Sequence, residues 1–257
     1  MSNPVRTLIY DVETSPLLTW NWGIWQQNAI RVKQEFTILS VAWRWLGQKA
    51  VHVVAQCDFE DYVPGEVDDY NVVATLHELF EKADIVVAHN GNKFDQAKSR
   101  ARMAVHGFDP PTGFKEVDTL QVARKQFKFT SNRLDDLCRV LGIGEKHETG
   151  GFSTWEGCME GDEKAWRKMK TYNRHDVILL EALYLRLLPW MTNHPNLAVI
   201  ADKPDACPKC GADQPGDIQS RGWRYYQVTK RRAFRCHRCG GIFYGRHLVK
   251  SDAQNVP

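Results

Sequence analysis

The sequence predicts an α/β fold, a mixed β-sheet flanked by helices, with a small module appended at the C-terminal side. Two observations predict the sheet: three strand-like segments come before any helix, and strands and helices then alternate up to about residue 190. A third, the change of composition near residue 200, marks the module. "TLIYDVE" and "FTILSVAWRWL" (36–46) read as strands, and "AVHVVAQ" (50–56) pairs with the second across Gly47 as a hairpin. Val73, Leu76, Leu79 and Phe80 give 70–83 a helical period, and "DIVVAHN" (84–90) is a short buried strand. Helices follow over 94–107, stopped by Gly107, and over 131–143, with Leu134, Leu137 and Leu141 on one face. The last helix of this region runs from about Glu163 to Leu188 and ends before Pro189.

At 257 residues with 43% apolar composition, the chain has material for one medium domain with a core and one small one. The Pro- and Asn-rich stretch 193–206 separates them, giving domains over 1–195 and 203–250. No apolar run approaches the roughly 18–20 residues needed to span a bilayer. "MSNPVRTLIYD" has no signal-peptide pattern, so a cytoplasmic location is expected. Residues 201–257 hold 11 Lys and Arg against 5 Asp and Glu, a net charge of +6, while residues 1–200 carry −3. A slightly acidic body with a basic tail fits an enzyme with a nucleic-acid-binding module. The acidic stretch 58–70 reads as a solvated connection.

Asp11 and Glu13 stand two apart at the end of an apolar strand, so they project from one face. Two like charges there repel, the more so if buried. Either they lie at a wet rim or they share a cation. Asp95 follows a second buried strand, where the chain turns into a helix, and Asp176 lies in a helix one turn after Tyr172.

Taken together these segments resemble the DEDD superfamily of 3′→5′ exonucleases, the proofreading and DnaQ-like enzymes. Asp11-Val12-Glu13-Thr14 resembles the first motif, Asn90-Gly91-Asn92-Lys93-Phe94-Asp95 the second, and Tyr172-Asn173-Arg174-His175-Asp176 the third in its tyrosine form. The segments 117–124 and 133–143 are similar to stretches between the second and third motifs, and the resemblance covers about residues 5–190. It implies an RNase H-like fold. It also implies that Asp11, Glu13 and Asp176 bind one divalent ion, that Asp11 bridges to a second held by Asp95, and that Tyr172 orients the attacking water. Thr14 would contact substrate, and Asn90 and Phe94 would support the site through substrate contact or packing. His175, adjacent to Asp176 and about 100° away on a helix, is expected to be non-catalytic. Asp118 and Asp135 read as a strand end and a helix cap.

Phosphodiester hydrolysis independently asks for such residues. Two Mg²⁺ or Mn²⁺ ions about 3.5–4 Å apart supply a nucleophile at neutral pH and clamp the displaced oxygens, and carboxylates suit these ions better than zinc. A tyrosine with a pKa near ~10 is too weak a base to take the proton itself.

In the tail, "CPKCG" (207–211) and "CHRCGG" (236–241) form two Cys-x2-Cys knuckles, each followed by glycine. They predict a zinc ribbon with one structural Zn²⁺ on Cys207, Cys210, Cys236 and Cys239. Cys57, Cys138 and Cys158 read as ordinary thiols. Between the knuckles, Trp223, Tyr225 and Tyr226 offer stacking surfaces, and Arg221, Arg224, Lys230, Arg231 and Arg232 offer phosphate contacts, although the aromatics would equally serve as ribbon core. Trp20, Trp22 and Trp25, just after the first motif, are either packing residues or walls of a substrate cleft.

The expectation is a divalent-metal-dependent 3′→5′ exonuclease acting by a two-metal mechanism on nucleic acid, DNA in preference to RNA, at single-stranded or frayed ends. A polymerase or another replication or repair protein is the expected partner. The alternatives are an RNase H-like endonuclease, an RNA exonuclease and a non-catalytic nucleic-acid-binding adaptor.

Overall fold

The computed structural model describes residues 5–25, 28–66, 68–145, 150–226, 228–246 and 249–250. Two compact units divide the chain: the larger is Arg6–Leu183, and the smaller contains the chain from Tyr184 onward.

In the larger unit, β1 (Thr7–Thr14) is followed by the short strands β2 (Leu18–Trp20) and β3 (Arg31–Gln34), and then by β4 (Ile38–Trp45) and β5 (His52–Ala55). Helix α1 (Tyr70–Lys82), β6 (Ile85–Ala88), α2 (Asp95–Val105), β7 (Lys115–Asp118), α3 (Thr119–Gln126), α4 (Leu134–Val140), α5 (Phe152–Glu160) and α6 (Glu163–Leu187) complete it. Five strands form one sheet in the order β5-β4-β1-β6-β7. β1 is antiparallel to β4 and parallel to β6, and β6 is parallel to β7. β2 and β3 form a separate two-stranded ribbon. The predicted mixed sheet with an antiparallel portion is thus observed.

The site rests on β1, the central strand. Leu8, Ile9 and Tyr10 are fully buried, each side chain contributing roughly 1.5–3 kcal/mol. Leu8, Tyr10 and Val12 pack with Val72, Val73, Leu76 and Phe80 of α1 and Met103 of α2. A second cluster joins Leu39 and Ala55 to Cys158 of α5 and to Ala165, Trp166 and Met169 of α6. The helix over 152–160 has little local signal, because Ser, Thr and Gly dilute it. Tertiary packing explains it: a Cβ on Gly157 would stand 2.8 Å from the Ala165 Cβ, so glycine permits the close approach of α5 to α6.

The acidic stretch 58–70 is not simply solvated. Asp69 is buried and accepts from the Ile38 amide at 2.8 Å, from Arg102 Nε and Nη2 at 2.8 and 2.7 Å, and sits 2.6 Å from His106 Nε2. A buried carboxylate persists only when paired in this way. It ties the start of β4 to the end of α2.

In the smaller unit, α7 (Leu197–Ile200) precedes β8 (Ile218–Tyr225), β9 (Thr229–Cys236), β10 (Ile242–Tyr244) and β11 (Val249–Lys250). β9 pairs antiparallel with all three other strands. Among the described residues no helix is long and apolar enough to cross a membrane.

Candidate functional site

β1 alternates along its length. Asp11 and Glu13 are half-buried on one face, while Tyr10 and Val12 are buried on the other. α6 brings Asp176 to the carboxylate face, and oxygens of Asp11, Glu13 and Asp176 lie within 4.8 Å of one another. Three carboxylates that close form a hard, all-oxygen donor set of the kind that suits Mg²⁺ or Mn²⁺. Repulsion among them favours a cation strongly.

Asn173, one helical turn before Asp176 and fully buried, donates from Nδ2 to Asp11 Oδ2 at 2.6 Å and to the Asp11 carbonyl at 3.3 Å. Its Oδ1 accepts from Ser40 Oγ on β4 at 3.0 Å. Asn173 therefore sets the rotamer of Asp11. The sequence reading passed over it, although a polar residue three positions before Asp176 shares its helical face and was the available signal.

Asp95 lies outside the three-carboxylate group. The β1–β6 ladder ends at Ile9 paired with Val87, and beyond that point the Val12 amide donates to Asp95 Oδ1 at 3.2 Å. The carboxylate thus stands where a ladder carbonyl would otherwise be. Burial pushes its carboxyl up to about 7, and the charge of Asp118 adds to the rise.

Tyr172 is half-buried, its ring edge-on to Trp155 at 6.3 Å between centroids. Thr14 is buried at the β1 end, next to a register shift between Glu13 and Thr14. Asn90 adopts a left-handed backbone with φ 69°, and its amide donates to Asp118 Oδ1 at 3.0 Å. Asp118 is the strand end the sequence suggested, and that same oxygen also caps α3 through the amides of Leu120 and Gln121. Asp135 is not a cap but lies in the first turn of α4, paired with Arg139. Phe94 is partly exposed, with Lys98 Nζ 5.0 Å from its ring centroid. His175 Nε2 lies 2.8 Å from the Glu145 carbonyl oxygen.

The four knuckle cysteines of the smaller unit come together. Cys207 and Cys239 Sγ are 3.8 Å apart, and Cys210 and Cys236 Sγ 3.6 Å. Tetrahedral edges built on zinc–sulfur bonds of about 2.3 Å are near ~3.8 Å, so the cluster is compatible with a structural zinc. Gly211 and Gly240, after each knuckle, have φ 72° and 76°, a left-handed turn that glycine adopts without strain. The local core comprises little besides these cysteines: Cys207, Cys236 and Ala212, with Ile218 and Phe243 against them.

Trp223, Tyr225 and Tyr226 do not belong to that core, and both tyrosines are well exposed. Register places Trp223 opposite Arg232, Tyr225 opposite Lys230, and Arg224 opposite Arg231. The cationic residues that sequence treated as one group therefore occupy two faces of the ribbon. On one, Lys230 and Arg232 lie 5.0 and 4.7 Å from the Trp223 ring centroid; Arg224 and Arg231 share the other.

Comparisons with known proteins bear on the family and the fold. The chain is 23% identical over 128 residues to the DNA polymerase III PolC-type of Ureaplasma parvum serovar 3, half of this chain but 9% of that protein. The family B DNA polymerase of Pyrobaculum calidifontis superposes on 73% of the chain with a TM-score of 0.53 and 18% identity, covering 25% of that structure. The chain thus spans only a small part of either relative, and the second likeness concerns the fold. Residues 30–188, which include Asp95, Tyr172 and Asp176 but not Asp11 or Glu13, match the family RNase_H_2. Match, sheet order and flanking helices lead to one statement: the chain belongs to the RNase_H superfamily.

Proposed function

We propose that the chain is a divalent-metal-dependent 3′→5′ exonuclease of the DEDD type, in its tyrosine form, acting on DNA at single-stranded or frayed ends. The observation that carries the reading is the convergence of Asp11, Glu13 and Asp176 oxygens within 4.8 Å. Asp11, Glu13 and Asp176 hold one Mg²⁺ or Mn²⁺, and Asp11 and Asp95 a second. Bound there, the ions supply a nucleophile at neutral pH and offset charge on the departing oxygen. Asn173 holds Asp11 in the orientation that both ions need, as its 2.6 Å hydrogen bond supports. Tyr172 positions the attacking water, and Thr14, Asn90 and Phe94 hold the terminal nucleotide.

In this reading residues 1–195 form the exonuclease domain and residues 203–250 a zinc ribbon. One Zn²⁺ on Cys207, Cys210, Cys236 and Cys239 supports the ribbon, whose Trp223, Lys230 and Arg232 face, with Arg224 and Arg231 behind it, binds nucleic acid. The polymerase relatives support DNA over RNA, and a replication or repair polymerase as partner.

End-labelled linear single-stranded DNA, duplex DNA, RNA and a covalently closed single-stranded circle, incubated with Mg²⁺ or Mn²⁺, test the proposal. Linear DNA should shorten from its 3′ end and the circle should stay intact. Asp11→Ala should slow digestion at least ~100-fold, and EDTA should stop it. Cutting of the circle would identify an endonuclease, and faster digestion of RNA would reverse the substrate preference.

A further inference from the structure

The β2–β3 ribbon, with the segment that joins its strands, carries exposed apolar side chains that the site leaves unexplained. Trp20, Trp22 and Trp25 are 60%, 90% and 79% exposed, and Ile24 is 86% exposed. Among the described residues the ribbon pairs with no strand of the main sheet. Indoles bury well, so three of them held in water, Trp20 on β2 and Trp22 and Trp25 in the segment after it, point to a partner.

Its attachment fixes where that partner lies. The ribbon interrupts the connection between β1, which carries Asp11 and Glu13, and β4, which carries Ser40. Its two feet are clamped: the Ser15 amide donates to the Thr37 carbonyl at 2.9 Å, and the Thr37 amide to Ser15 Oγ at 2.9 Å. It therefore rises from the end of the sheet that holds the carboxylates.

Its chemistry narrows the partner further. Arg31 is directly opposite Trp20 in the register, and Lys33 Nζ lies 5.8 Å from the Trp20 ring centroid. Residues 17–34 contain Arg31 and Lys33 and no Asp or Glu. Exposed rings beside cations, with no carboxylate among them, match the two needs of an unpaired strand, base stacking and phosphate neutralisation. A duplex keeps its base faces stacked inside and offers the rings nothing.

We propose that the β2–β3 ribbon is a single-strand platform, with bases stacking on Trp20, Trp22 and Trp25 while Arg31 and Lys33 meet the phosphates. The inference rests on the nuclease reading above and deepens it by assigning the surface that takes the unpaired strand on its way to Asp11 and Glu13.

Binding measured without catalysis separates the two claims. The full chain, in chelator-free buffer without Mg²⁺ or Mn²⁺, is titrated into a fluorescein-labelled 20-nucleotide oligo(dT), and separately into a duplex, with anisotropy as the readout. The triple variant W20A/W22A/W25A should weaken single-strand binding at least ~20-fold and duplex binding less than ~2-fold, given the worth of each stacked base. The variant W20F/W22F/W25F should recover most of the loss. A 5-iododeoxyuridine-substituted strand should photocrosslink within residues 17–33 of the unsubstituted chain. Equal single-strand affinity in the alanine variant, with crosslinks elsewhere, overturns the proposal. So does unchanged strand affinity with loss of a dimer in sedimentation, which would make the ribbon a contact between copies. Crosslinks on the ribbon in a chain that hydrolyses nothing would sink the nuclease reading and leave the platform standing.

Discussion

The cysteine cluster and the carboxylate cluster are assembled in opposite ways. In the smaller unit each ligand pair is three residues apart, and the apolar core around it is scarcely more than Cys207, Ala212 and Cys236. That core is too small to stabilise a fold alone, so on the proposed zinc reading metal binding and folding there would be one event. In the larger unit Asp11 and Glu13 meet Asp176 across more than 160 residues of sequence, on a strand whose Leu8, Ile9 and Tyr10 are fully buried. Apolar packing positions those three carboxylates. On the proposed reading, one site would depend on metal for its shape and the other only for its chemistry.

The largest test of this contrast is removal of a thiolate. Cys236→Ser, or a strong chelator, should abolish amide protection across β8 and β9 in hydrogen exchange, while amides of β1 and β6 keep theirs. Protection retained by the ribbon without zinc would break the comparison.

Next in size is Asn173→Ala. Loss of the hydrogen bond that orients Asp11 should lower hydrolysis by about 10–100-fold and raise the Mg²⁺ concentration needed for half-maximal rate, with a melting temperature lower by a few degrees because buried Ser40 also loses its partner. An equal loss with unaltered Mg²⁺ dependence would mean that Asn173 acts other than through the ligand.

The smallest effect concerns Asp95→Asn in EDTA. Burial raises the folded-state pKa of Asp95 to about 7, above its unfolded value of 3.8. The stability this confers is complete below the unfolded pKa and is lost as pH rises through about 7. The asparagine variant escapes that loss, so its melting temperature relative to the unsubstituted chain should climb by a few degrees, roughly 2–5, between pH 5 and pH 8. A difference independent of pH would show that the carboxyl does not titrate there.

Much of this was legible in the sequence because it is carried by local pattern. The strands around Leu8, Val41 and Val86, the helix bearing Asp176, the Gly107 stop and the cysteine knuckles all follow from periodicity or spacing. What escaped depends on distant partners. α5 forms because Gly157 meets Ala165, and Asp69 is buried because Arg102 lies across from it. The role of Asn173 exists only once α6 crosses β1. The division of the basic residues of β8 and β9 between two faces required their register, which composition does not encode.

The single bond from the Val12 amide to Asp95 has a practical consequence. Val12 lies between Asp11 and Glu13, yet its proton is held by a carboxylate 83 residues away. The solvent-exchange rate of that one proton therefore reports whether Asp95 is still attached to the central strand. Val12 becomes a spectroscopic indicator of the site's state, readable by NMR without an activity assay.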